Sequence, residues 1–182
     1  MTPSGEQITG PPTCKGYKQS QCTPLFYNAY NLRNAGAVIH THSTNAVLTT
    51  MILERMNRKV WRITHQEMIK GIRIGSSKDS YRFFDVIEIP VIKNTPEEKD
   101  LQASMRAAME AYPDANAVLV ERHGIYVWGE TWEKAKSMNE CYDYLLGLTV
   151  ELHKMGIAWD EEPAGSTYLN EPDRRLKSTS EE

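Results

Sequence analysis

His40-Thr41-His42 closes the apolar run Ala37-Val38-Ile39. Side chains on a strand alternate with a period of two, so both imidazoles are expected to leave the same face. That spacing lets one metal ion take both. A third histidine, His123, follows a second apolar run, Ala117 to Val120, and precedes Gly124. Three histidines from two strand ends would leave one position of a zinc ion open to water or substrate, as catalytic sites do. Read alone, His123 equally suits a hydrogen-bonded histidine at a hairpin, and the first pair gives it weight.

Other residues could join such a site. Glu67, in Thr64-His65-Gln66-Glu67-Met68-Ile69, reads in isolation as a solvated carboxylate. Beside a metal it would be placed for general acid–base work, and His65 could support it. Cys22 stands where the chain enters a helix, a position that lowers a thiol pKa, although most such cysteines are small buried hydrophobes. The same segment, Lys18-Gln19-Ser20-Gln21, could hold an anion through amide groups and the Ser20 hydroxyl. Lys15 and Lys18 are nearby cations. His153 reads as a solvated residue near a helix C-terminus.

The elements that must carry these residues follow from periodicity. Helix is expected from Thr23 to Arg33 with Gly36 as its stop, then strand from Ala37 to His42. Ser43 or Thr44 caps a helix bearing Val47, Leu48, Met51 and Ile52. Short β structure follows at Val60 to Thr64. A clearer strand spans Asp85 to Ile92, where Pro90 suits an edge or a strand end. Thr95-Pro96-Glu97-Glu98 reads as a helix start, with Thr95 as cap and Glu98 three residues on. Two strands joined near His123-Gly124 run from Ala117 to Trp128, and Thr131 opens a last long helix. The expected class is α/β in three layers. Residues 1–20 are expected to form a loop segment, 21–155 the folded domain, and 156–182 a disordered tail.

Composition narrows the function. With 182 residues the chain is expected to be one domain with a real core. A formal charge of −3 leaves no footprint for nucleic acid or an anionic membrane surface. No apolar stretch approaches the ~20 residues that a membrane helix needs. Cys14, Cys22 and Cys141 are odd in number and follow no zinc spacing, so they read as reduced thiols in a cytoplasmic protein.

Five ordered runs resemble the methylthioribulose-1-phosphate dehydratase family of the class II aldolase and adducin superfamily. They are Ser20 to Phe26, Gly36 to Ser43, Ile63 to Gly71, Asn94 to Leu101, and Arg122-His123-Gly124 with Tyr126 to Trp132. The resemblance implies a three-layer fold with a mainly antiparallel central sheet flanked by helices. It further implies dehydration of 5-methylthioribulose 1-phosphate to 2,3-diketo-5-methylthiopentyl 1-phosphate in methionine salvage. On this likeness His40, His42 and His123 hold one zinc ion per subunit, Glu67 handles protons, and Cys22 and Ser20 bind substrate. Cys22 falls where related aldolases carry an acidic residue. A homotetramer with sites between subunits is implied, and some eukaryotic members are described as binding an apoptosis protease-activating factor.

The glycine-rich phosphate-binding loop of the family does not precede Cys22 at the expected distance, so the N-terminal part of the fold is expected to be missing. Two other readings stand beside the dehydratase. One is a sugar-phosphate aldolase or 4-epimerase with the same histidines. The other is a non-catalytic interaction protein on the same fold.

Overall fold

The computed structural model describes residues 6, 8–10 and 12–165. Among the described residues, four α-helices and five strands follow in the order α1 (Thr23–Arg33), β1 (Ala37–Thr41), α2 (Thr44–Arg55), β2 (Val60–Ile63), β3 (Ile87–Ile92), α3 (Gln102–Ala111), β4 (Ala117–Val120), β5 (Gly124–Gly129) and α4 (Trp132–Lys154). Short 3-10 turns at Glu67–Gly71 and Glu98–Leu101 flank β3. The strands form one sheet, ordered β1-β5-β4-β3-β2. Its pairings are antiparallel except for β3 with β4.

Strands β4 and β5 are buried along their whole length because helices cover both faces. Ala117, Leu119, Ile125 and Val127 point into a core shared with α2 and α4. The alternate residues Val118, Val120, Tyr126 and Trp128 point into a second core shared with α1 and α3. Covered on both sides, such strands read as continuous apolar runs, not as apolar–polar alternation. The expected three-layer α/β architecture with a mainly antiparallel sheet is the one observed.

Local chemistry explains the element boundaries. Helix α1 has the expected limits, but Asn34 stops it, in the left-handed conformation (φ 49°). Ser43 caps α2, its hydroxyl oxygen accepting from the amides of Asn45 (3.1 Å) and Ala46 (3.4 Å), and Thr131 caps α4 through the Lys134 amide. Thr95 does not cap a helix. Its hydroxyl donates to the Glu97 carbonyl, and α3 begins only after a 3-10 turn. Pro90 lies in an interior strand, not at an edge. The Val91 amide donates toward β2, so the Pro90 nitrogen faces β4 just before that ladder begins at Val91. No backbone donor is lost there.

The segment after α4 also departs from expectation. Trp159 is buried in the core beneath α2 and α4, and its carbonyl accepts from the Thr64 amide (3.3 Å). Asp160 pairs with Arg58. The tail therefore packs at least this far, while residues 166–182 lie outside the described residues. No described helix is long and apolar enough to cross a membrane.

Two substitutions test these contacts. Trp159→Ala should cost about 3 kcal/mol, read as a lower urea midpoint. A truly disordered tail would give no change. Gly124→Ala places a Cβ against the Thr41 carbonyl oxygen. Its cost should reach about 2 kcal/mol, and an unchanged melting curve would contradict the close β1–β5 approach.

Candidate metal centre

Strand register brings the histidines together. His40 lies opposite Tyr126, and Thr41 lies opposite Ile125 at the start of β5. Val120 pairs with Gly124 across the hairpin that carries His123. The C-terminal end of β1 and the β4–β5 turn therefore meet at one end of the sheet. Arg122, in that turn, takes a positive φ of 53°, a conformation that is costly for a side-chain-bearing residue. Its amide donates to the Thr50 hydroxyl (2.9 Å) and its guanidinium pairs with Glu54 (2.8 Å). Both contacts hold the turn that presents His123.

The His42 Nε2 lies 3.0 Å from His40 Nε2 and 3.0 Å from His123 Nε2. The opposite ring nitrogens of His40 and His123 are already committed. His40 Nδ1 donates to the Ile125 carbonyl (3.1 Å). His123 Nδ1 donates to Asn94 Oδ1 (3.0 Å), an oxygen that also accepts from the Thr95 amide. With protons on Nδ1, the Nε2 atoms of His40 and His123 present lone pairs. One His42 proton can bridge to only one of them, whereas a cation satisfies all three. Nitrogens bound to a tetrahedral zinc lie about 3.3 Å apart, close to the spacing observed. The residues fit a metal ion.

Glu98 completes the cluster. Its Oε1 lies 3.1 Å from His40 Nε2 and 3.6 Å from His123 Nε2. The Tyr126 hydroxyl donates to the same oxygen, and its ring stacks on His40 at 4.0 Å. Burial depresses the pKa of His40 and His123, and the attraction of Glu98 only partly offsets it. Both rings are thus kept neutral, as ligation requires. Burial alone would raise the Glu98 pKa, but hydrogen bonds from Tyr126 and Cys22 and the nearby histidines bring it below the usual range. Burial and Glu98 push the Tyr126 hydroxyl far upward, so it remains a donor.

Cys22 lies beside Glu98 and Tyr126, and its amide donates to the Ser20 hydroxyl oxygen (3.2 Å). Burial raises its pKa, with Glu98 adding to the effect. The thiol keeps its proton, contrary to the depression expected of a helix N-terminus. An open depression of about 520 Å³ beside the cluster is lined by Gln21, His42, Asn94, Glu98, Arg122 and His123, among others. Lys15 and Lys18 do not line it, and the Lys15 ammonium lies over Tyr17.

The structure does not bring Glu67 to this centre. Glu67 follows β2, the strand at the opposite edge of the sheet from β1. Ile63 at the end of β2 pairs with Ile87 at the start of β3, whereas the histidines lie at the end where β3 and β4 finish. Four strand spacings separate β2 from β1, about 19 Å. The Glu67 carboxylate is exposed and pairs with Lys70 at 2.7 Å. His65 is likewise remote from the cluster, its Nδ1 on the Thr64 hydroxyl and its Nε2 4.0 Å from Glu162. His153 is exposed and meets Trp159 edge-on.

Glu98, Asn94 and Tyr126 are the residues that sequence reasoning passed over. Glu98 looked like part of a helix start, and Tyr126 like one residue of a strand. The signal that would have found them is topological: β3 is parallel to β4, so the residues following β3 must emerge beside His123.

The family described as class II aldolase and adducin N-terminal domain matches residues 1–150. The methylthioribulose-1-phosphate dehydratase of Aquarana catesbeiana is 59% identical over 157 residues, covering 86% of this chain and 64% of that protein. Those of Mus musculus and Homo sapiens are 57% and 55% identical over 164 residues, each covering 90% of this chain and 67% and 66% of theirs. The chain thus spans about two thirds of the length of these relatives. Among solved structures, an L-fuculose 1-phosphate aldolase superposes with a TM-score of 0.54 at 21% identity, covering 80% of this chain and 58% of that one. The aldolase of that name from Thermus thermophilus gives 0.51 at 16% identity, covering 75% and 63%. By sequence and by fold, this chain belongs to the class II aldolase and adducin family.

Proposed function

We propose that this chain provides the metal centre of a methylthioribulose-1-phosphate dehydratase, with zinc held by His40, His42 and His123. The observation that carries the reading is the convergence of three imidazole nitrogens, those of His40 and His123 each 3.0 Å from His42 Nε2, in a chain more than half identical to such enzymes. A zinc ion there would polarise the substrate's C2 carbonyl and acidify the neighbouring C3–H bond. The protein supplies the remaining steps. A carboxylate removes the C3 proton, the C4 hydroxyl leaves as water on receiving that proton, and the resulting enol tautomerises to the diketone.

Glu67 is the proposed proton carrier, and its placement sets a condition. An exposed carboxylate at the opposite edge and end of the sheet can reach a metal centre only on another copy of the chain. The reading therefore includes a homo-oligomer, a tetramer on the family pattern, whose sites lie between subunits. Cys22, beside Glu98 and Tyr126, and Ser20, bonded to the Cys22 amide, would donate hydrogen bonds to a substrate hydroxyl or phosphate. The three free cysteines suit a cytoplasmic setting.

Three measurements test this. Added zinc should raise the melting temperature of the wild type, but not of His42→Ala, and equal shifts would contradict the assigned ligands. Glu67→Gln should lower turnover of 5-methylthioribulose 1-phosphate by about 100- to 10,000-fold without loss of zinc. Full activity would remove Glu67 from the mechanism, and cleavage of a carbon–carbon bond in place of water loss would favour an aldolase. Mixing Glu67→Gln with His42→Ala chains should restore about a quarter of the sites if Glu67 acts between copies. No restoration would contradict the shared site.

A further inference from the structure

The mechanism leaves Glu98 unused, yet its carboxylate faces the three histidines directly. One oxygen of Glu98 and one nitrogen from each imidazole all lie within 4.8 Å of one another. We propose that Glu98 is the fourth protein donor to the bound metal and that Tyr126 positions it. This rests on the reading of His40, His42 and His123 as metal ligands.

The argument is one of lone pairs. His40 Nδ1 donates to the Ile125 carbonyl, so its Nε2 carries a lone pair. Glu98 Oε1 lies 3.1 Å from that nitrogen. Two acceptors at such a distance repel unless a positive charge lies between them. The same holds for His123, whose Nδ1 is committed to Asn94. The Tyr126 hydroxyl donates to Oε1 and the Cys22 thiol also bonds to this carboxylate, whose roughly four lone-pair sites still leave one for the centre. Tyr126 fixes two members of the set together, stacking on the His40 ring while holding the Glu98 carboxylate. Leu101, fully buried, anchors the short 3-10 turn from which Glu98 projects.

A fourth protein donor alters how substrate enters. The position that three histidines would leave open would be taken by a carboxylate borne on one short turn. With a metal bound, Glu98 would be the protein donor that gives way to an incoming substrate oxygen. Glu98 would then remain beside the substrate, still tied to Tyr126.

Cobalt(II) uptake by the full chain tests the proposal through a competing chelator and the visible spectrum of the bound ion. Glu98→Gln should weaken cobalt binding by about 100-fold and shift its absorption bands, whereas Tyr126→Phe, acting through Glu98, should cost about 10-fold with the bands retained. Melting of the metal-free variants should match the wild type, because Glu98 is partly exposed and Tyr126→Phe keeps the ring. A Glu98→Gln chain with wild-type affinity and spectrum would overturn the proposal while leaving the histidine site standing. A wild-type chain that takes up no cobalt would overturn both, and loss of uptake in His42→Ala separates the two readings.

Discussion

The candidate centre depends on the register of β1 against β5 and of β5 against β4. His40 and His42 come from one strand end, and His123 comes from a hairpin more than eighty residues later. A slip of one residue would turn every side chain of a strand to the other face. That slip is resisted because β4 and β5 bury both faces, each with its own core of alternate residues. Gly124 lets the two strands close where a Cβ would strike the Thr41 carbonyl. Packing far from the chemistry thus determines where three nitrogens meet.

The polarity of the centre follows from burial. Desolvation keeps His40 and His123 neutral and the Tyr126 hydroxyl protonated, while Glu98 retains its charge through the hydrogen bonds and histidines around it. The Nε2 atoms of His40, His42 and His123 converge with one carboxylate, the Nδ1 atoms of His40 and His123 already bonded to Ile125 and Asn94 and Glu98 held by Tyr126. Such a set is pre-organised for a cation, since little must rearrange when one binds. Cys22 contributes as a protonated thiol, because the desolvation of its site and the carboxylate beside it outweigh the helix terminus.

Much of this was readable from local pattern. The period of two placed His40 and His42 on one face, and Thr23 to Arg33 and the Ser43 and Thr131 caps carry their own boundaries. What was not readable depends on strand order. Glu67 is separated from the histidines because β2 pairs with β3 at the far edge, which nothing in Thr64 to Ile69 announces. Glu98 was hidden by a better local explanation, since Thr-Pro-Glu-Glu suits a helix cap. Trp159 lies three residues past Gly156 and just before Asp160-Glu161-Glu162, and its burial depends on packing among distant elements.

X-ray absorption at the metal edge of the zinc-loaded protein tests the central claim most directly. The account predicts nitrogen and oxygen donors at about 2.0–2.1 Å, with the outer-shell scattering of three imidazoles. A sulfur shell at about 2.3 Å would contradict it, moving the metal to Cys22, as would a spectrum with fewer than two imidazoles.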